Sequence, residues 1–452
     1  MREIELSADR LAAMLLNLSK DESVCLLDSG GATNLDSRFL IAGIRPLETL
    51  EITDNDAEKT LAAFDEKLSD FNTASIFTIS YDFGLKLHNL KPRLKELSTL
   101  PEPDIYLAQF DCLIVHDYRT AKTYLAGKAE KFDGIEKILF ENQAAAEDNS
   151  SEQTPVYSNF TRESYIETVK EIQERIRRGD TYQTNLTQRL HARLPENLSP
   201  QKVFNNLRKA HPAAFAAFIK RENDCIVSAS PERFFRIQSS RFKVQSSKFE
   251  IQDSLIAASP IKGTRPRGAT AAEDLRLRNE LLNSAKDRAE NVMIVDLLRN
   301  DLGVICEYGS VRVEKLCDLE TLPTLFHLVS TISGTLRQDI KISDVLRAVF
   351  PCGSITGAPK ISTMRIIDEL ETVNRGLSMG AVGYSIPNTG FDVPNLSKFD
   401  LSVAIRTMVI NNQEAAFNVG GGITIDSDAA DEYAETLVKA RALLDAINGK
   451  LI

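Results

Sequence analysis

Several short stretches place side chains capable of chemistry where a fold could bring them together. In "ASPIKGTRPRG", residues 258–268, Lys262 stands between Ile261 and Gly263, with Pro260 fixing the backbone before it and Thr264 following. A lysine in such a stiff, Gly-hinged turn is either a solvated loop charge or an amine held against a reacting group. In "SASPERFF", Glu232 follows Pro231 on a short turn between two strand-like segments. Its neighbours Phe234 and Phe235 would raise the pKa of a carboxyl group and suit it to general-acid work. The plainer alternative pairs Glu232 with Arg233 or with solvent.

Two further stretches carry paired carboxylates. In "AKDRAENVMIVDLLRND", Val292, Ile294, Val295 and Leu298 make a buried helix, and Asp287 and Glu290 share a face at i, i+3 near its start. They could bind Mg²⁺, which takes one or two protein carboxylates, or simply complement the helix dipole. In "FNVGGGITIDSDAADEYAETLVKARALL", Gly420, Gly421 and Gly422 allow a ligand close to the backbone. The helix after them carries Glu432 and Glu435, with Lys439 one turn on; a strand bend and a surface Glu435 to Lys439 pair is the alternative.

"GSITGAPKISTMRIIDELE" runs a Gly-rich loop into a helix and suggests anion binding at the helix start. Ala358 and Pro359 stand where a Walker motif needs Gly and Lys, so nucleotide hydrolysis is rejected. Arg406 is the odd charge in "LSVAIRTMVI" and needs a carboxylate partner from the protein or from a substrate. His327, in the apolar "LFHLVSTISG", reads more readily as a core residue than as a catalyst.

The elements that must position these residues follow from periodicity. "TRESYIETVKEIQERIRRG" sets Tyr165, Val169, Ile172 and Ile176 on one helical face, with Thr161 as N-cap and Gly179 as the stop. Further helices are predicted over 271–300, 342–349, 358–371 and 428–447, and strands over 379–386, 400–410 and 415–425. "TYQTNLTQRL", "AFAAFI", "CIVSAS" and "RFFRI" also read as strands. Strands come in runs rather than in strict alternation with helices, which points to an α+β fold with large, mostly antiparallel sheets. The polar stretch 141–155 separates an N-terminal region, 1–140, from residues 156–452.

At 452 residues the chain can bury a large core, and 43% hydrophobic with 26% charged residues is ordinary globular composition. A net charge of −10 argues against nucleic-acid binding. The apolar run "LAAMLLNL" is too short to span a bilayer and follows acidic residues, so neither a membrane span nor a signal peptide is expected. Six cysteines without a C-x-x-C pair give no disulfide framework and fit a cytoplasmic location.

Read together, "GDTYQTNLTQR", "SPERF", "PIKGT", "DRAENVMIVDLLRNDL", "HLVSTISG", "GSITGAPK", "GYSI", "IRTM", "GGGI" and "DEYAET" closely resemble the chorismate-utilising enzymes. The resemblance runs from about residue 157 to the end, and "CLLDSGGATNLDSRFLIAG" extends it weakly into the N-terminal third. It implies one body built on two large facing sheets with helices outside, in which 1–140 shares and 156–452 forms the chorismate-binding catalytic part.

The resemblance also gives Lys262 a role. Anthranilate synthases carry Ala at the middle of that motif, whereas the aminodeoxychorismate branch reads P-I-K-G-T, as here. Implied is attack by a neutral, desolvated Lys262 amine on C2 of chorismate while Glu232 protonates the departing 4-hydroxyl. Ammonia then attacks C4 and expels the lysine, and occupation of C2 blocks the route to anthranilate. Glu290 and Glu435 become Mg²⁺ ligands, with Glu432 acting through water. Arg406, Tyr384 and the backbone of Gly420, Gly421 and Gly422 would grip the enolpyruvyl carboxylate. Gly263, Thr264 and Lys439 complete the substrate contacts, and His327 becomes part of the active-site wall.

Isochorismate and salicylate synthases place a lysine base where this chain has Gln183, so ammonia rather than water is the expected nucleophile. No G-x-C-x-G nucleophile motif is present, so a separate glutaminase subunit is the implied source of ammonia, and no fused lyase is expected after the last helix. Ser29, Pro212 and Phe215 match a segment that holds free tryptophan in relatives. The Ser-rich segment between Glu232 and Lys262 is longer than the family pattern and reads as an extended hairpin. From a different class, a non-catalytic metabolite-binding subunit competes with the enzyme reading; retention of Lys262, Glu232, Glu290 and Glu435 together speaks against it.

Overall fold

Side chains alternate across a strand, so two buried faces mean a sheet covered on both sides. In the strand Val24–Asp28, Val24 and Leu26 enter one hydrophobic core and Cys25 another. The strand Phe215–Lys220 repeats the pattern, with Ala216 and Phe218 set against Ala217 and Ile219. The computed structural model describes residues 1–32, 35, 37–70, 72–93, 102–142, 152–239, 254–322, 325–387 and 389–452, and it shows what lies on each side.

Among the described residues there are two sheets, of thirteen and ten strands. The first runs in space through Arg2–Ile4, Lys122–Gly127, Cys112–Asp117, Phe39–Ile44, Val24–Asp28, Phe215–Lys220, Cys225–Ser230, Thr407–Asn411, Glu414–Ile423, Gln183–Arg193, Thr154–Ser158 and Gly449–Leu451. The second runs through Ile261–Pro266, Leu325–Thr335, Ser254–Ala258, Arg233–Ser239, Phe399–Val403, Ala381–Ser385, Ala74–Ile79, Ile105–Phe110 and Glu48–Ile52. Among the described strands, pairing is antiparallel except between Gly449–Leu451 and Thr154–Ser158. Both sheets draw strands from either side of the 141–155 stretch.

The sheets face one another across a core in which Ile41, Ala217, Ile226 and Val409 of the first meet Ile76, Ala108 and Val382 of the second. On the outer face of the first, helices Ala8–Leu18, Pro200–Ala210 and Ala429–Ala446 bring Leu15, Phe204 and Leu443 against Leu26, Phe218 and Val419. On the outer face of the second, helices Ala57–Leu68, Ala285–Ile305 and Ile342–Val349 bring Phe64, Ile294 and Leu346 against Phe77, Phe235 and Ile256. The predicted α+β architecture with large antiparallel sheets is the one observed.

Local predictions hold where a cap fixes the end. Helix Arg162–Arg177 starts with the Thr161 hydroxyl accepting from the Ser164 N–H at 3.1 Å, and Gly179 follows it at φ +83°. Two predictions need correction. The helix expected over 271–300 is two, Ala271–Asn283 and Ala285–Ile305, because Ser284 turns extended and its hydroxyl caps the second through the Asp287 N–H. The strand expected over 400–410 is also two, Phe399–Val403 and Thr407–Asn411, and they belong to different sheets. Arg406 sits in the passage between them at φ +49°, so it lies on a corner rather than alternating within a strand.

The chain passes between sheets a second time beside that corner, from Cys225–Ser230 through Pro231 and Glu232 to Arg233–Ser239. The passages are laced together: the Val403 N–H donates to Glu232 O at 3.0 Å, the Ala229 N–H to Arg406 O at 3.0 Å, and the Ser230 hydroxyl to Val403 O at 2.6 Å. Residues 143–151 and 240–253 lie outside the described residues. The arms flanking 240–253 pair antiparallel, Ser239 opposite Ser254.

Candidate active site

Pro260 ends the strand Ser254–Ala258, and the chain resumes as Ile261–Pro266 along the same neighbour, Leu325–Thr335. The register slips between Lys262 and Thr264, so Gly263 is a bulge, and its φ of +80° is one that glycine adopts without strain. A Cβ there would stand 2.9 Å from Leu281 Cδ1 and 3.0 Å from Asp287 Cβ. The glycine thus lets the strand lie against the two helices that meet at Ser284 and re-aims the lysine beside it.

Lys262 Nζ donates to the carbonyl oxygen of Ser354 at 3.2 Å, and the Glu232 carboxyl lies near enough to both Ser354 and Lys262 for them to act on its acidity. Ser354 belongs to the single turn Gly353–Ile355 of the Gly-rich loop, so that loop organises lysine and acid instead of binding phosphate. Burial pushes the Glu232 carboxyl above its ordinary range, against the effect of Ser354 and the charges of Lys262 and Lys439. Its Oε1 is buried with no hydrogen-bond partner, leaving one carboxyl oxygen for a ligand donor to satisfy.

Thr264 Oγ1 and His327 Nδ1 share a hydrogen bond of 2.9 Å across the paired strands. Burial first, and then the positive charge of Arg406, lowers His327 to about 4, so its imidazole is neutral. Arg406 has no ion-pair partner among the described residues, and burial holds its guanidinium below the usual arginine value. The carboxylate it needs is therefore left to a ligand.

Gly421 pairs with Leu186, and a Cβ on it would lie 3.1 Å from Glu432 Oε2, 3.6 Å from Lys439 Nζ and 3.8 Å from Glu435 Oε1. The glycine strand is thus the floor beneath helix Ala429–Ala446. Lys439 Nζ donates to Gly420 O at 2.9 Å and pairs with Glu435 Oε1 at 2.7 Å. Burial alone would push Glu435 up, but Lys439, with Lys286 and Lys262, outweighs it and holds the carboxyl below its ordinary value. Glu290, from the facing helix, is raised by burial against the charges of Lys262 and Lys286. Glu432 accepts from the Ser427 hydroxyl at 2.6 Å and pairs with Lys286 Nζ at 3.3 Å.

No group of three or more His, Cys, Asp and Glu side chains is poised to hold a metal among the described residues. Mg²⁺ does not require one, since it keeps waters and ligand oxygens around one or two protein carboxylates. Glu290 and Glu435 present two, from helices on opposite sheets.

The expected residues therefore converge, with one exception. Tyr384 lies on the inter-sheet face, because alternation along Ala381–Ser385 turns Val382 and Tyr384 inward together. It lines a separate cavity of about 240 Å³ between the sheets, shared with Ser29, Phe215, Arg38, Arg233 and Asp400. Pro212 packs behind Gly30, the residue after Ser29, where its Cβ would stand 3.4 Å from a Cβ added to that glycine, but it is not in the cavity wall. Arg233 holds Asp400 through two hydrogen bonds of 2.9 and 3.0 Å. The Ser29 hydroxyl is buried and unpartnered.

Sequence reasoning did not find the roles of Ser354 and Lys286, nor two buried pairs behind the site. Lys360 pairs with Asp301 at 2.7 Å and also reaches Val349 O. Arg375 pairs with Glu371 at 2.7 Å and holds Ile355 O and Asn185 O at 2.9 and 2.8 Å. Glu371 to Arg375 had a signal, an i, i+4 pair, but that spacing is the usual mark of an exposed helix face.

A family model described as chorismate binding enzyme matches residues 22–445. The chain is 34% identical over 443 residues to aminodeoxychorismate synthase component 1 of Escherichia coli, covering 93% of this chain and 92% of that protein. It is also 34% identical over 468 residues to an anthranilate synthase component 1 of Haloarcula marismortui, covering 96% and 89%. The crystal structure of anthranilate synthase component I from Streptococcus pneumoniae superposes with a TM-score of 0.74 at 28% identity, covering 91% of this chain and 93% of that one.

Proposed function

The chain belongs to the chorismate-binding enzyme family, and from that premise we propose that it is component I of an aminodeoxychorismate synthase, replacing the 4-hydroxyl of chorismate with an amino group on the way to 4-aminobenzoate and folate. Over nearly the whole chain, identity is 34% to one synthase of each product, and over 76% of the chain it reaches 39% to an aminodeoxychorismate synthase of Streptomyces griseus. The observation that carries the choice is Lys262, held on the Ser354 carbonyl beside the buried Glu232 carboxyl.

The amine of Lys262, unprotonated when it reacts, attacks C2 as both ring double bonds shift and the C4–O bond breaks. Glu232, whose carboxyl burial raises above its ordinary range, gives its proton to the departing hydroxyl, which leaves as water. Ammonia attacks C4, both double bonds shift back, and the C2–N bond to Lys262 breaks, returning the amine. Arg406 binds the side-chain carboxylate, and neutral His327 with Thr264 walls the cleft. Gln183, whose side chain lies over Gly422, offers no base to activate water, which favours ammonia.

Glu290 and Glu435, with Glu432 through water, are the residues that would hold Mg²⁺. The ion, when bound, neutralises the ring carboxylate and orients the ring. A glutaminase subunit is the proposed ammonia source. Free tryptophan is the proposed occupant of the inter-sheet cavity, where the Ser29 hydroxyl awaits a partner. Six free cysteines suit a cytoplasmic setting, and no described helix is long and apolar enough to cross a membrane.

The test is a mass-resolved product assay with chorismate, Mg²⁺ and ammonium, run beside Lys262→Ala. Aminodeoxychorismate from the wild type, lost or diverted to anthranilate in the variant, is expected. Anthranilate from the wild type would assign the chain to the other branch.

A further inference from the structure

Lys286 occupies a position that helix formation alone disfavours. It is the second residue of helix Ala285–Ile305, where the helix dipole presents its positive end and a cation is destabilising. What offsets this comes from across the cleft. Its Nζ lies 3.3 Å from Glu432 Oε1, and Glu290 stands one turn further along its own helix. Glu432 is almost fully buried, at 4% exposure, whereas the Lys286 side chain is 48% exposed and has open solvent to swing into.

The neighbouring charges balance. Glu290, Glu432 and Glu435 face Lys262, Lys286 and Lys439, three carboxylates against three lysines, and the neighbouring Asp287 is paired with Arg265. Lys439 is tied down twice, by Glu435 and by Gly420 O, and Lys262 by Ser354 O. Lys286 has the single side-chain partner Glu432, so it is the ammonium that can leave at least cost. A divalent cation entering between Glu290 and Glu435 would add two positive charges to a balanced cluster, and a nearby ammonium opposes that entry.

We propose that Lys286 is a resident counter-cation of the acidic cluster, which a divalent metal must displace from Glu432, so that Lys286 holds down the metal affinity of the substrate-free protein. This rests on the reading of Glu290 and Glu435 as metal ligands.

The experiment is calorimetric titration of the substrate-free full chain with MgCl₂, for the wild type, Lys286→Gln, Lys286→Arg and Glu435→Gln. Lys286→Gln should bind Mg²⁺ about five-fold more tightly, the scale of one half-exposed ion pair. Lys286→Arg, which keeps the charge, should stay near the wild type. Unchanged or weaker binding in Lys286→Gln, or no binding in either protein, overturns the proposal. Mg²⁺ binding that Glu435→Gln leaves untouched would instead overturn the metal assignment beneath it.

Discussion

The cleft around Lys262 and the cavity around Tyr384 are both lined by charges, yet they are built differently. In the cavity the charges are locked: Arg233 grips Asp400 through two hydrogen bonds, and Arg38 grips Asp117 in the same forked manner. In the cleft, ammonium groups meet single carboxylate oxygens, and Glu435 with Lys439 is half exposed. Arginine forks fix a geometry, whereas lysine pairs can be exchanged for a metal or a substrate carboxylate. The cleft is thus the place whose charges can change partners, and the inner cavity is the one where Arg233 and Arg38 are held in forked pairs.

Four substitutions would break or sharpen this contrast. Lys262→Ala should lower formation of the aminated product by on the order of 10⁴-fold or more with the thermal midpoint unchanged, read by mass-resolved assay and calorimetry. Asp400→Ala should do the opposite, costing about 4 kcal/mol in urea unfolding, because it strands the Arg233 guanidinium in the interior.

His327 carries a pH signature. Its folded value near 4 lies below the ordinary 6.5, so its contribution to stability is fully present above pH 6.5 and is lost as pH falls toward 4. The loss is on the order of 3 kcal/mol, and His327→Gln should lack that part of the acid limb in urea midpoints measured against pH. Glu232→Gln keeps the shape but has no proton to give, and kcat should fall about 10²-fold. Because the protonated form donates, the wild-type rate should decline as pH rises through the raised Glu232 value, and the variant should lose that limb of the profile. A Glu232→Gln profile still carrying it would assign the limb to another group.

Much of this is readable in the sequence, for reasons that can be named. Caps at Thr161 and Gly179 and the period of Tyr165, Val169 and Ile172 mark their helix locally. The family resemblance supplies Glu290, Glu435 and Lys262, which neither spacing nor composition distinguishes from helix-start acids and a loop cation. Hydrophobic period says which face of a strand is buried, but not against which sheet. The segment 400–410 therefore reads as one strand, although Val403 and Thr407 lie in different sheets. For the same reason the motif around Tyr384 points to the cleft, whereas the alternation that buries Val382 turns the tyrosine into the cavity. The interior pairs Lys360 with Asp301 and Arg375 with Glu371 stay hidden because burial of a charge leaves no mark in sequence.

The two laced passages at Glu232 and Arg406 act as the spine of a book whose covers are the sheets. The hydrogen bonds between the passages hold Glu232 and Arg406 at a fixed separation, since both are bound into the binding itself. Glu290 stands on a helix packed against one cover and Glu435 on a helix packed against the other. An ion held by both would therefore be a clasp between the two covers.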